Sequence, residues 1–255
     1  MCQQCGCGMD EGAVRVHNHF KSDAQRVVTS ETVNVLRNIL HKNNQVAAHN
    51  REHLADHGVL ALNLMSSPGS GKTALLEATI DRLSDRYRLA VIEGDLETDN
   101  DAARIRSKGV SAIQITTGQT CHLDAQMVHD ALHELKLEDI DILFIEKVGN
   151  LVCPAGFDLG QHANVVLLAV TEGDDKPAKY PVMFRVADLV LLSKSDLLAV
   201  LDDFVPEEAE RHVRELSNTA PIHAVSVRKP ETLSGWIGWI EEQLAVRRRL
   251  GEGAG

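Results

Sequence analysis

Seven apolar runs of strand length alternate with helix-patterned segments along this chain, at residues 59–65, 89–92, 112–115, 140–145, 165–170, 189–192 and 222–225. Continuous apolar runs mean strands covered on both faces. Strands separated by helices pair in parallel, because each crossover returns the chain to the same end of the sheet. The pattern predicts an α/β fold with a mainly parallel sheet flanked by helices at about 72–86, 101–107, 122–135, 177–187, 206–216 and 231–248. Ahead of it, residues 1–28 are polar and aperiodic and read as a flexible tail. Residues 29–57 read as an N-terminal helix, capped by Thr29 or Ser30, with Val33, Leu36 and Leu40 on one face and Gly58 as its stop. Residues 58–250 then form the main domain, and the Gly-rich 251–255 a disordered end.

The first apolar run leads into Ser66-Ser67-Pro68-Gly69-Ser70-Gly71-Lys72-Thr73. A strand that enters a Gly-rich loop and then a helix is a phosphate cradle. Past Pro68, backbone N–H groups around Gly69, Ser70 and Gly71 wrap anionic oxygens, Lys72 reaches the outer phosphates, and the Thr73 hydroxyl is offered to Mg²⁺. Ser66 departs from the usual motif, which has Gly there.

Later motifs narrow the nucleotide. Ser193-Lys194-Ser195-Asp196 follows the sixth run, where guanine-reading proteins carry Asn/Thr-Lys-x-Asp. A buried, unpaired Asp196 would accept from N1–H and the exocyclic amine of guanine, donors that adenine does not present there. Ser193 is too short to span from base to phosphate loop as an Asn amide does, which weakens affinity more than specificity. Glu146 ends the fourth run and Gly149 follows three residues later, an acidic-x-x-Gly switch that couples Mg²⁺ to the γ-phosphate. Asp95, in Glu93-Gly94-Asp95, is the second carboxylate placed at a strand's C-terminal end to reach the metal or the attacking water. Lys72, Asp95 and Glu146 are thus the catalytic candidates; Gly149, Lys194 and Asp196 join the phosphate loop as nucleotide ligands.

Cys2, Cys5 and Cys7 place three thiols within six residues, close enough to gather on one soft or borderline ion such as Ni²⁺ or Zn²⁺, with redox chemistry or inert terminal thiols as the alternatives. Cys121 and His122 adjoin, and Cys153 lies four residues beyond Gly149. A lone Cys is often a small buried hydrophobe, but the switch before Cys153 and the nitrogen of His122 favour a metal, and a two-fold dimer would double the set. His49, His53 and His57 recur every fourth residue; auxiliary metal binding is one reading of them, and a solvated polar helix face is favoured over it. The formal charge of −11, with no basic stripe beyond Arg247–Arg249, disfavours nucleic acid. The apolar runs are too short to span a membrane, and the lack of a leader points to the cytoplasm.

Together these motifs resemble the HypB family of hydrogenase nickel-incorporation GTPases. The resemblance covers CQQCGCG at 2–8, the phosphate loop, VIEGD at 91–95, NDAARIR at 100–106, TGQTCHLDAQ at 117–126, FIEKVGNLVCP at 144–154 and TEGDDKP at 171–177. It implies a SIMIBI-class P-loop GTPase that uses GTP, Mg²⁺, Ni²⁺ and Zn²⁺ to deliver nickel to the large subunit of [NiFe]-hydrogenase. It also implies a high-affinity nickel site at Cys2, Cys5 and Cys7, and a second site for nickel or zinc at Cys121, His122 and Cys153 on a homodimer interface promoted by GTP and metal. Implied partners are a HypA-type zinc-containing accessory protein, the hydrogenase large-subunit precursor and, in some organisms, a metal-binding prolyl isomerase. Lys147 departs from the Asn expected at the switch; a cation beside Glu146 would weaken Mg²⁺ binding or hold the switch in one state. A small-molecule kinase and a non-catalytic nickel store are the competing readings, separated by nucleotide selectivity and by metal stoichiometry with and without GTP.

Overall fold

The computed structural model describes residues 30–95, 100–117, 122–151 and 156–252, with side chains from residue 38 to 94, 101 to 117, 122 to 151 and 156 to 249. Seven strands form one sheet: β1 (Leu60–Ser66), β2 (Leu89–Asp95), β3 (Ser111–Thr116), β4 (Ile142–Glu146), β5 (Ala163–Ala169), β6 (Leu189–Ser193) and β7 (Ile222–Ala224). Their order is β3-β2-β4-β1-β5-β6-β7 and every pairing is parallel. The helices are α1 (Ser30–Asp56), α2 (Lys72–Leu83), α3 (Asn100–Ser107), α4 (Ala125–His133), α5 (Lys176–Lys179), α6 (Pro181–Arg185), α7 (Pro206–Glu215) and α8 (Ser234–Glu252). Among the described residues, no helix is long and apolar enough to cross a membrane.

Both faces of the sheet are buried, as the unbroken apolar runs require. Leu62 and Leu64 of β1 pack with Phe144, Leu76, Ile80 and Trp236 beneath α2 and α8, while Ala61 joins Leu54, Val128, Leu132 and Leu143 beneath α1 and α4. Each fully buried Leu or Phe contributes roughly 1.5–3 kcal/mol. The Trp236 indole N–H, enclosed in this core, donates to Thr79 Oγ1 at 2.8 Å.

Four details differ from the sequence expectation. The helix expected at 122–135 starts only at Ala125, because Asp124 adopts an extended conformation and its side chain accepts from Met127 N, which fixes the cap there. The helix expected at 177–187 divides into α5 and α6, since Pro181 has no N–H to continue a helical ladder. Gly251 and Glu252 belong to α8 rather than to a disordered end. Leu40 is exposed; the side of α1 that packs is lined by Asn43, Ala47, Asn50 and Leu54.

That stripe explains how α1 is held. Asn43 Oδ1 accepts the Ala125 N–H at 2.9 Å and its amide donates to the Asp158 carbonyl at 2.8 Å, so one side chain bridges α4 to the segment before β5. Asn50 donates to the carbonyls of Ala125 and Leu159 at 2.8 and 3.1 Å. Gly160 makes the close approach feasible: at φ +92°, a Cβ there would lie 2.6 Å from Asn50 Cβ.

Candidate nucleotide and metal site

β1 sits at the centre of the sheet, with β4 on one side and β5 on the other, so the loop after β1 opens at the point where the strand order reverses. Gly69 and Gly71 hold φ of +74° and +95°, conformations that free the loop's N–H groups to face one concavity at the start of α2. Lys72, nearly buried, donates to Ser66 Oγ at 2.8 Å, and the Ser66 hydroxyl donates onward to the Ser67 carbonyl. The residue that departs from the usual motif therefore holds the ammonium. Burial pulls the Lys72 ammonium below its usual range, opposed by the carboxylates of Glu146, Asp101, Glu172 and Glu93.

Thr73 Oγ1 lies 3.0 Å from Asp101 Oδ2 and 3.1 Å from Glu146 Oε1. Burial pushes the Glu146 carboxyl up to about 7, against the pull of Lys72 and Thr73. Its second oxygen, Oε2, is enclosed with no hydrogen-bond partner among the described residues. An enclosed, unsatisfied carboxylate oxygen beside a Thr hydroxyl and a second carboxylate suits a hard divalent cation with oxygen ligands, so these residues fit Mg²⁺. A cavity of about 400 Å³ opens here, lined among others by Lys72, Thr73, Glu93, Asp101, Glu146 and Gly149.

Three of these carboxylates were not singled out from the sequence. Asp101 stands in the first turn of α3 and is held by Arg104, whose Nη1 donates to it at 3.0 Å while Nη2 donates to Glu77 at 2.6 Å. Glu93 pairs with Glu146 in the β2–β4 register and is buried. Glu172 accepts from the Ser67 hydroxyl of the phosphate loop. The signal for Glu93 was present: an acid inside an apolar strand, aligned with the switch acid. Asp95 ends β2, and its side chain lies outside the described residues.

The base-recognition segment follows β6. Ser193 Oγ donates to the Ser70 carbonyl at 2.7 Å, so the short hydroxyl does reach the phosphate loop. Lys194 takes a left-handed conformation at φ +57°, a strained arrangement typical of ligand-contacting turns. Asp196 corrects a second expectation: it is half-buried rather than buried, and its Oδ1 accepts from Ser226 Oγ at 2.5 Å. That hydrogen bond holds its carboxyl below the usual range, so it is an ionised acceptor. Ser70, Gly71, Lys194, Asp196, Ser226 and Arg228 are among the walls of a cavity of about 360 Å³.

Lys147 is fully buried, and its Nζ donates to the Phe157 carbonyl at 2.9 Å, tying the switch to the chain beyond Cys153. Burial draws its ammonium down to about 7, with Asp158 opposing. His122 stacks on Phe157 with ring centroids 4.1 Å apart, and burial holds it below the usual imidazole range. Neutral imidazole is the metal-ligating form. Cys2, Cys5, Cys7, Cys121 and Cys153 lie outside the described residues.

Fold and site together define a P-loop nucleotide-binding protein. The family model for the CobW/HypB/UreG nucleotide-binding domain matches residues 60–224. The hydrogenase maturation factor HypB of Azotobacter chroococcum is 48% identical over 239 residues, 94% of this chain and 76% of the relative. HypB of Escherichia coli K12 is 53% identical over 205 residues, 80% of this chain and 70% of the relative. Among solved structures, HypB from Helicobacter pylori in complex with nickel superposes with a TM-score of 0.77 at 45% identity, covering 80% of this chain and 95% of that one. The chain belongs to the HypB family of hydrogenase maturation factors.

Proposed function

We propose that this chain is a GTPase that carries nickel and uses GTP binding and hydrolysis to assist nickel insertion into the large subunit of [NiFe]-hydrogenase. Residues 146–149 carry the proposal. Glu146 faces Thr73 at the phosphate end, Lys147 grips the Phe157 carbonyl beyond Cys153, and Gly149 presses on Pro68. A γ-phosphate that repositions this stretch moves the chain leading to Cys153.

Bound Mg²⁺ would neutralise charge on the β- and γ-phosphate oxygens. Thr73, Glu146, Asp101 and Asp95 are the residues proposed to hold it. Lys72 turns from Ser66 Oγ toward the outer phosphates, and Asp196 takes the guanine edge while Lys194 and Ser193 set the base pocket's floor. Cys121, His122 and Cys153 form the proposed switch-linked site for nickel or zinc, shared across a homodimer promoted by GTP. Cys2, Cys5 and Cys7 form the tight nickel site. Support for the nickel cargo comes from the family and from the nickel-bound Helicobacter pylori relative. A HypA-type accessory protein, the hydrogenase large-subunit precursor and a metal-binding prolyl isomerase are the proposed partners.

The test is phosphate release by the full chain, with GTP and ATP compared, alongside nickel stoichiometry. Turnover of GTP but not ATP, with nickel bound, supports the proposal. ATP-dependent phosphorylation of a small molecule would favour the kinase instead, and nickel binding without any nucleotide turnover would favour a store.

A further inference from the structure

Five histidines that the nucleotide site does not use converge where α1 packs on α4. His49, His53 and His57 recur at every fourth position of α1, and His129 and His133 do the same on α4. The two rows face each other: ring centroids are 5.2 Å apart for His49–His129 and 5.6 Å for His53–His133. On α4 the rings of His129 and His133 are 4.5 Å apart, with their Nε2 atoms separated by 3.1 Å. Of the two readings the sequence left for this α1 face, the favoured solvated one is therefore incomplete. His49, His57 and His133 are exposed, but His53 and His129 are half-buried in the seam.

The hydrogen bonds around the cluster fix which nitrogens are basic. Asn50 spends its amide N–H groups on the Ala125 and Leu159 carbonyls, so the atom facing His129 is its acceptor Oδ1, 3.0 Å from His129 Nδ1. His129 Nδ1 must carry the proton. Its lone pair then sits on Nε2, the atom directed at His133. On α1, His57 Nδ1 lies 2.9 Å from the His53 carbonyl oxygen and must likewise donate, leaving Nε2 as the basic nitrogen. Ring N–H groups pinned by carbonyl or amide oxygens are how proteins orient imidazoles toward a metal. His53 Nδ1 is enclosed with no hydrogen-bond partner among the described residues.

The spacing fits an ion as well as it fits a proton. Two nitrogens that each lie about 2.0–2.1 Å from one metal are about 3 Å apart, as the paired Nε2 atoms of α4 are. We propose that this face of α1 and α4 binds a divalent transition-metal ion of borderline softness, with His129 and His133 as the chelating pair and His49 or His53 joining from α1. Among the described residues no group of three donors is already arranged around an ion, so an α1 imidazole turns to complete the set. An all-imidazole donor set selects Ni²⁺, Cu²⁺ or Zn²⁺ over the oxygen-seeking Mg²⁺ and Ca²⁺. The site uses no thiol and no nucleotide, and its chelating pair lies on α4, which begins just after His122.

Equilibrium dialysis of the full chain against Ni²⁺, and separately Zn²⁺, at neutral pH without nucleotide tests it. Wild type is compared with a His129→Gln/His133→Gln variant, with His133→Gln alone, and with a Cys2→Ser/Cys5→Ser/Cys7→Ser variant. The double histidine variant is expected to hold one metal equivalent fewer, and the thiol variant to keep that equivalent. His133 is exposed, so its single variant isolates ligation from folding; it should weaken the equivalent by about tenfold or more. Co²⁺ filling this equivalent should add d–d absorption without adding thiolate charge transfer. Unchanged stoichiometry and affinity in His133→Gln, or a lost equivalent that carries thiolate charge transfer, overturns the proposal.

Discussion

Gly149 lies directly against Pro68: a Cβ built at Gly149 would stand 2.9 Å from Pro68 Cα and 3.0 Å from Pro68 N. The switch and the phosphate loop therefore touch through backbone, with no flexible side chain between them to absorb a change. A shift in either is transmitted to the other, and Cys153 follows Gly149 by only four positions in the chain.

Gly149→Ala should displace the phosphate loop, because the obstructing atoms are backbone and cannot rotate away. Overpacking of this kind costs about 1–3 kcal/mol. If that strain falls on the loop, GTP affinity drops by roughly tenfold or more while far-UV circular dichroism is unchanged. Titration with a fluorescent GTP analogue checks this; wild-type affinity in the variant would show that the loop yields freely.

Ser193 and Asp196 should separate affinity from selectivity. Removing the Ser193 hydroxyl abolishes its bond to the Ser70 carbonyl, worth about 0.5–1.5 kcal/mol, so Ser193→Ala should weaken GTP and ATP alike by severalfold. Asp196→Asn should instead narrow the GTP-to-ATP ratio, since a site built to accept from guanine discriminates by about 10⁴–10⁵ when intact. Competition binding of both nucleotides to both variants decides; an unchanged ratio in Asp196→Asn would remove this residue from base recognition.

His162 gives the fold an acid limit. Its Nδ1 accepts the Ala61 N–H at 2.9 Å, which only neutral imidazole can do, and burial with Arg247 and Arg51 nearby lowers its pKa from 6.5 to about 4. Between these values the unfolded chain binds more protons than the folded one. The stabilisation is thus complete above about 6.5 and is lost as pH falls toward 4, by about 3 kcal/mol at most. His162→Asn keeps an acceptor that does not titrate, so chemical denaturation across this range should show a flatter pH dependence than wild type. Parallel curves would place the acid sensitivity elsewhere.

What was legible from sequence depended on range. Each of the seven strands follows a local apolar run, and the phosphate loop is contiguous, so both could be read without knowing any tertiary contact. Asp101, Glu93 and Glu172 come together from three separate segments, which only the strand order β2-β4-β1-β5 reveals. The partner of Lys147 was hidden for a similar reason: its Nζ donates to the carbonyl of Phe157, a contact that no local pattern announces. The paired histidine rows of α1 and α4 were visible only as one row, because the second is 72 residues or more away in the chain (129 − 57). Asn43 and Asn50 show the converse, polar residues in a packed stripe whose partners are backbone groups invisible to pattern.

The central claim is that the nucleotide controls the hold on nickel through residues 146–153. It is tested most directly by measuring the full chain's nickel affinity with a non-hydrolysable GTP analogue, with GDP and without nucleotide, in wild type and in Cys153→Ala. Linkage predicts that nickel affinity changes with the γ-phosphate by about 5–150-fold, that nickel changes affinity for the analogue by the same factor, and that both effects vanish in Cys153→Ala. Identical nickel affinity in all three nucleotide states of the wild type would contradict the account, even with every metal site occupied.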